Sequence, residues 1–532
     1  MYSKRDSTDW DSSLLKNALS RFWDSTENPA VGEPSGMSNY LGWTLGCDWT
    51  QEETVSYSNL ATQICIENFR YVLLIAVGGS SAGARAIVSL GDDRPQFIYV
   101  DSLVPDTVEK ILNKVGNEKT LLIVSSKSGT TLETVTLAKY FLEKLSAILT
   151  MSCGSQNAIA ITDPGTELET FALQHKFRSV VYGKINIGGR FSELSSFGLF
   201  PALLNKSDVA SVVDAANNMV SLCHNLEYQQ NPAASLSDYL GNNLAQSRDK
   251  LYVYLPSSMK NFDMWLEQLL SESLGKEGVG IIPIVGEPEL LNPSKDVCAV
   301  IYEDLSDPDK SVFELRKKLE DYSIPTYEIQ VDGPACIGGE FFKWKLSVVL
   351  LANLMDIKPY DQPQVQNSKD MTNKILDHFV LEGELPVTSP TVSFYEWVSN
   401  ITSSNYVAIL PFVSIEDSER KLLSGLAIGI SSLTGAHVTI ASSPSYLHST
   451  GQMHKGGPAS GVFLQLLSTS SEEVPIRDEN YGLSTLLSAQ ADGDLETLLS
   501  LGRSVCRVNL GPDINKGLRE LVSDVKDIYL RK

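Results

Sequence analysis

Tyr71-Val72-Leu73-Leu74-Ile75-Ala76-Val77-Gly78-Gly79-Ser80-Ser81-Ala82-Gly83 decides the architecture of this chain. A short apolar run enters two glycines and two serines, and small residues follow, which reads as strand, tight turn and helix start. Leu121 to Val124 lead in the same way into Ser125-Ser126-Lys127-Ser128-Gly129-Thr130-Thr131-Leu132-Glu133-Thr134. Outward from these two turns, short apolar runs alternate with amphipathic stretches: Tyr71 to Val77, Phe97 to Val100, Leu121 to Val124, Ala158 to Thr162 and Arg178 to Tyr182. That rhythm is βαβ, hence a mostly parallel sheet with helices on both faces. It restarts with Leu251 to Leu255, Gly280 to Ile284, Val297 to Tyr302 and Thr326 to Val331, and Pro359-Tyr360-Asp361-Gln362-Pro363 punctuates its end. Further strands are expected at Tyr406 to Leu410, Val438 to Ala441 and Gly461 to Leu467, with a polar connector between Ser471 and Asn480. The expected fold class is α/β, with two doubly wound parallel-sheet (αβα) domains and a C-terminal α/β extension. The expected division is an arm over 1–50 packed on the first domain, domains over 51–235 and 236–372, and a C-terminal region over 373–532.

The composition, 42% hydrophobic and 20% charged over 532 residues, suits a globular enzyme with a substantial core. No run reaches the ~18 apolar residues of a membrane span. Lys4, Arg5, Asp6 and Asp9 interrupt any secretory signal, so a cytoplasmic protein is expected. Seven scattered cysteines, Cys47, Cys65, Cys153, Cys223, Cys298, Cys336 and Cys506, form no C-x-x-C pair and read as reduced thiols, with no metal site. A net charge of −22 argues against a nucleic-acid partner. It does not exclude an anionic small molecule, because charges beyond a Debye length of ~8 Å are screened while close donors are not.

Where a parallel strand meets a helix, free N–H groups and the positive helix end converge on one spot, and small hydroxyl residues there can wrap a phosphate. In the first turn Gly78 and Gly83 match the outer glycines of G-x-G-x-x-G, and Asp101 stands where a ribose-binding acid would be sought. Ser80 replaces the middle glycine, which favours a monophosphate over a dinucleotide; a turn that merely needs glycine is the plainer alternative. The second turn offers Ser126, Ser128, Thr130 and Thr131 around Gly129, more hydroxyls than one helix cap needs. Glu133 follows in the first helical turn, as a candidate partner for an arginine. Gly188-Gly189-Arg190-Phe191-Ser192 either aims Arg190 inward or leaves it solvated. Trp265 to Lys276 reads as a helix closing at Gly275 as its cap, with Gln268 and Glu272 sharing a face at i,i+4. A carboxylate in the last turn feels the negative dipole end and becomes a stronger base, although glutamates on such helices commonly face solvent.

Gly78-Gly79-Ser80, Ser126 to Thr134, Gly189 to Ser192, Glu272-Ser273-Leu274-Gly275-Lys276 and Tyr360-Asp361-Gln362-Pro363 with Lys369 resemble, in order, the motifs of the glucose-6-phosphate isomerase (phosphoglucose isomerase) family. The resemblance spans roughly residues 70–370. It is nearest to the isomerase portion of transaldolase/glucose-6-phosphate isomerase fusions, which carry a tail similar to Tyr446 to Gly457. It implies two sugar-isomerase (SIS) domains and interconversion of glucose 6-phosphate and fructose 6-phosphate without metal or cofactor. Gly79, Ser80, Ser126, Lys127, Ser128 and Thr131 would then hold the phosphate, and Glu272 would move the proton between C2 and C1. Arg190 would stabilise the enediolate, and Gly189, Gln268 and Lys369 would line the site. A phosphosugar substrate and a homodimer are the expected partners.

One departure stands out. The family places a ring-opening histidine on a Gly-Gln-His segment, whereas no histidine occurs between Glu272 and Lys369, where Gly338-Gly339-Glu340-Phe341-Phe342-Lys343-Trp344 stands. The ring would be opened by Lys369, or by His448 or His454 delivered from the C-terminal region, with His454 taken as the catalytic candidate; a glycine-flanked surface loop is the alternative for both histidines. The missing histidine also motivates a competing reading, a phosphosugar-binding regulatory protein without chemistry. A dual phosphoglucose/phosphomannose isomerase is a further variant.

Overall fold

The computed structural model describes residues 10–27, 40–148, 155–285, 294–389, 391–441, 444–469 and 473–531. Three parallel sheets follow one another along the chain. The first contains β1 (Tyr71–Ile75), β2 (Gln96–Val100), β3 (Thr120–Ser125), β4 (Ala158–Thr162) and β5 (Ser179–Tyr182), in the order β2-β1-β3-β4-β5. The second contains β6 (Lys250–Tyr254), β7 (Ile282–Val285), β8 (Val297–Asp304) and β9 (Thr326–Val331), in the order β7-β6-β8-β9. The third contains β10 (Tyr406–Pro411), β11 (His437–Ile440), β12 (Gly461–Leu467) and β13 (Ser504–Asn509), in the order β11-β10-β12-β13.

Each sheet is wound in the same sense: its second strand lies on one side of the first, and the chain then crosses to build outward on the other side. Ligands in such sheets sit beyond the carboxyl ends of the strands where the order reverses. In the first sheet that point lies between β1 and β3, whose outgoing turns are the two hydroxyl-rich loops. The central strands are buried along their whole length, as Tyr71–Ile75 and Thr120–Ser125 are, which explains their unbroken apolar runs. The apolar runs named from the sequence are all strands, with ends shifted by no more than two residues. β13 is the addition. It is an edge strand paired only with β12, and its Ser504, Arg507 and Asn509 blur the apolar signal.

Helix Phe262–Leu274 is central to the assembly of these layers. Its Phe262, Trp265, Leu266, Leu269, Leu270 and Leu274 recur every three or four residues and are buried in the largest core. The same helix touches helix Gly79–Val88 of the first sheet, β7 and helix Ile337–Leu354 of the second, and the short helix Gly451–Gly456 near the third. Its polar face is therefore enclosed as well as its apolar one.

The N-terminal arm does not pack mainly on the first sheet. Helix Ser13–Glu27 buries Leu15, Leu19, Phe22 and Trp23 against helices Pro232–Ala245 and Ile337–Leu354, and Trp10 Nε1 donates to Asp238 Oδ1 at 2.7 Å. Those helices flank the second sheet and offer the large apolar surface that the arm's aromatics need. Residues 1–9 and 28–39 of the arm, Cys153, and Ser471 and Glu472 of the polar connector lie outside the described residues. The other six cysteines are free thiols. No helix among the described residues is long and apolar enough to cross a membrane.

Candidate active site

The two hydroxyl loops meet a third glycine turn. Gly78 has φ +57°, a conformation that L side chains rarely adopt, and a Cβ at Gly79 would stand 2.3 Å from the Gly189 carbonyl. The backbones of the first loop and of the Arg190 turn thus lie in direct contact. Ser80 is buried in the first turn of helix Gly79–Val88, whose N-terminus has no side-chain cap among the described residues. In the second loop the Ser126 and Thr131 hydroxyls share a hydrogen bond of 3.0 Å, and Gly129 N donates to Ser126 Oγ at 3.2 Å. Ser128 is exposed, and its Oγ accepts from Thr130 N at 3.3 Å. Asp101, considered as a ribose ligand, is engaged instead by Arg85 at 2.6 Å.

Lys127 departs from the expected cradle. Its ammonium bonds Asp163 Oδ2 at 2.5 Å and Lys184 O at 2.6 Å, and burial pulls its pKa down despite the Asp163 charge. A cation this enclosed is fixed by the nearest carboxylate, so the side chain braces the loop from behind.

Arg190 turns inward, and only 3% of it is exposed. Its Nη1 donates to Glu272 Oε2 at 3.0 Å and to Gln362 Oε1 at 2.6 Å, and its Nε donates to Ser273 Oγ at 2.8 Å. Nη2 donates to the Pro359 carbonyl and to Asp361 O. The Tyr360-Asp361-Gln362 motif is therefore an arginine clamp, and Lys276 Nζ ties it down through Asp361 Oδ1 at 2.8 Å. Glu272 is buried rather than solvent-facing. Burial pushes its carboxyl pKa up, opposed first by Arg190 and then by His448 and Gln268. Gln268 Nε2 lies 3.4 Å from Glu272 Oε2, as the i,i+4 spacing requires. Gly275 ends the helix with φ −77° and so is not a left-handed cap. It is glycine because Met453 Cα would stand 2.6 Å from its Cβ.

The histidine closest to these groups is His448, and His454 is elsewhere. His454 is enclosed by Tyr406, Tyr446 and Phe463, with Nδ1 3.2 Å from the Tyr406 hydroxyl, and burial drives its pKa well down. Its helical turn packs inward, which removes it from the catalytic candidates. His448 Nε2 lies 2.9 Å from Glu133 Oε1, and its carbonyl accepts from Gln268 Nε2 at 2.9 Å. A Cβ at Gly78 would meet the same carbonyl at 2.9 Å. Glu133, which the sequence offers to an arginine, thus pairs with a histidine. Beside the pair opens a cavity of about 220 Å³, lined among others by Thr130, Glu133, Lys369, His448 and Gln490.

Gln362, Gln452 and Gln490 join the site in the structure without a role assigned to them by the sequence motifs. Gln452 donates to Gly275 O at 3.0 Å and accepts from Gln364 N at 3.0 Å, joining the end of the Glu272 helix to the start of helix Pro363–Glu382, which carries Lys369. Gln362 could have been found from its place in the Tyr360 to Pro363 motif. Gln490 sits inside the ordinary-looking helix Leu483–Ser500 and leaves no local signal.

The family model described as phosphoglucose isomerase matches residues 59–280, which contain both loops, the Arg190 turn and the Glu272 helix. A probable glucose-6-phosphate isomerase of Methanococcus maripaludis is 33% identical over 229 residues, 41% of this chain and 51% of that protein. A glucose-6-phosphate isomerase of Methanocaldococcus jannaschii is 24% identical over 359 residues, 60% of this chain and 87% of that protein. The chain spans about half the length or less of the first two curated relatives it matches. In fold it is similar to a glucose-6-phosphate isomerase of Chlamydia trachomatis, with TM-score 0.56, 17% identity, and 70% and 87% of the two chains covered. It is also similar to a hypothetical protein of Thermus thermophilus, with TM-score 0.58, 23% identity, and 68% and 94% covered. The stretch over 59–280, which holds both hydroxyl loops, the Arg190 turn and the Glu272 helix in order, is thus similar to the phosphoglucose isomerase family.

Proposed function

We propose that this protein interconverts glucose 6-phosphate and fructose 6-phosphate by proton transfer through an enediol(ate). The observation that carries the reading is the buried Glu272–Arg190 pair, 3.0 Å apart, beside the hydroxyl loops and the His448–Glu133 pair. Abstracting a proton next to a carbonyl needs a carboxylate of raised basicity and a fixed positive charge where the oxyanion develops. Glu272 supplies the first and Arg190 the second. The phosphate is held by Ser80, Ser126, Ser128 and Thr131 with the open N–H groups of the first helix. His448 passes the proton between the anomeric hydroxyl and the ring oxygen. Glu133 occupies its Nε2, which leaves Nδ1 to face the sugar, and holds the imidazolium that forms in the transfer. Lys369 meets the substrate from the open side of the cavity.

Neither metal nor cofactor enters this scheme, and all its side chains come from one chain. A homodimer would then be an assembly rather than a condition of catalysis. The enzyme is proposed to work in the cytoplasm on a small phosphosugar, with no nucleic-acid partner. With His448 beside Glu133, the non-catalytic binding reading loses the gap that motivated it. A coupled assay of purified protein with glucose 6-phosphate, run with chelator present, tests the proposal. Turnover is expected in the wild type. Glu272→Gln is expected to abolish it while fructose 6-phosphate still binds. Tight fructose 6-phosphate binding by the wild type without turnover would overturn the assignment.

A further inference from the structure

Helix Leu483–Ser500 belongs to the third sheet's layer and lies outside the family-matched residues, yet one of its side chains reaches the cavity. Gln490 Nε2 donates to Glu133 Oε1 at 2.6 Å, the same oxygen that lies 2.9 Å from His448 Nε2. Gln490 is only 4% exposed, and its Oε1 is buried without a hydrogen-bond partner among the described residues. A buried carbonyl oxygen without a partner has lost its hydration for nothing in return, and such atoms are seldom left so. This residue lines the cavity of about 220 Å³ together with Thr130, Glu133, Lys369 and His448. At ~30 Å³ per water that is the space of several waters, enough for a sugar ring or its opened chain.

Resting on the isomerase reading above, we infer that Gln490 is a substrate-binding and positioning residue, whose amide N–H fixes Glu133 and whose carbonyl accepts a hydroxyl of the phosphosugar. A carbonyl oxygen can only accept, so it selects an O–H donor, which every hexose phosphate brings. The amide N–H keeps Glu133 in line with the imidazole. The titratable groups facing this arrangement are Glu133 and His448, with Lys369 across the cavity.

The test compares the wild type with Gln490→Leu and Gln490→Glu in the full-length protein. Calorimetry measures fructose 6-phosphate and inorganic phosphate, and kinetics give KM, kcat and the pH profile. Gln490→Leu is expected to weaken fructose 6-phosphate about tenfold, the worth of one buried hydrogen bond, and to leave inorganic phosphate affinity unchanged. Gln490→Glu replaces the amide that donates to Glu133 by a second carboxylate, removes that hydrogen bond, and is expected to lower kcat with glucose 6-phosphate about tenfold. Unchanged fructose 6-phosphate binding in Gln490→Leu overturns the inference. Equal weakening of both ligands also overturns it, because that pattern marks a purely structural residue. A wild type without turnover would refute the isomerase assignment, while the binding comparison would still decide the case of Gln490.

Discussion

Replacing Gly275 by alanine tests whether the C-terminal region positions the chemistry. The backbone at 275, with φ −77° and ψ 69°, accepts alanine without strain, so the outcome depends on what the new methyl meets. It would stand 2.6 Å from Met453 Cα and 2.6 Å from Ser271 O, and ordinary contact begins near 3.4 Å, so one side must retreat by 3.4 − 2.6 = 0.8 Å. The Ser271 O contact lies in the helix's own last turn and is relieved by rotation at residue 275, whereas the Met453 contact is relieved only by movement of the Gly451–Gly456 segment. That segment is joined to the helix end by the Gln452 to Gly275 hydrogen bond of 3.0 Å and by Gly278 N to Gly456 O at 2.9 Å, and it leads back to His448. Overpacking of this kind costs about 1–3 kcal/mol. A displacement of ~1 Å in a catalytic group costs on the order of 100-fold in rate. Steady-state kinetics should therefore show kcat lowered about 100-fold, and hydrogen exchange should rise over 445–457. Gly383→Ala is the control: φ is +80° with no described atom within 4 Å, so backbone strain of ~1 kcal/mol is expected with kcat intact. Wild-type turnover in Gly275→Ala would refute the idea that this segment holds anything the reaction needs.

The two histidines should separate cleanly. His448→Gln is expected to lose about 10²–10⁴-fold in kcat/KM with glucose 6-phosphate, whereas His454→Phe, placed among Tyr406, Tyr446 and Phe463, keeps kcat within a few-fold and is read out as a shift in Tm. Lys127→Met leaves Asp163 without its partner and should destabilise the fold by about 3 kcal/mol in urea titrations; a large rise in KM with unchanged stability would return Lys127 to the cradle. Glu272 must be ionised to act as a base, and burial raises its pKa, so the acid limb of kcat/KM should lie above the ordinary glutamate value of ~4.3. For stability the sign is the reverse: the native state holds this proton more tightly than the unfolded chain, so stability is lost as pH rises from ~4.3 through the native pKa of Glu272. A limb at or below ~4.3 would contradict the assignment.

What could be read from sequence follows a physical line. Buried parallel strands such as Tyr71–Ile75 carry continuous apolar runs, so their positions are legible, while the polar edge strand Ser504–Asn509 is not. The loops, the inward Arg190 turn and the helix end that carries Glu272 are legible as local structure because a tight turn or a helix end calls for particular residues. Lys127 is misleading because a motif fixes where its Cα lies, and Asp163, a neighbour from another strand end, decides where its ammonium goes. The choice between His448 and His454 is closed to local reading for the same reason. They stand six residues apart in one glycine-flanked segment, and only the packing of Tyr406 and Glu133 against them tells the two apart. Gln490 is the extreme case, since 357 residues separate it from the carboxylate it touches.

That separation bears on synthesis. Ribosomes add about 5–20 residues per second and upstream domains fold as they emerge. The 357 residues from Glu133 to Gln490 therefore take roughly 20–70 s to add. Late in that interval, once Glu272 has been added, the nascent chain holds both hydroxyl loops and the Glu272 segment but lacks the imidazole and the amide that close over them. On the isomerase reading, a polypeptide released before His448 is added would keep the residues proposed to grip the phosphate and lack those proposed to open the sugar ring.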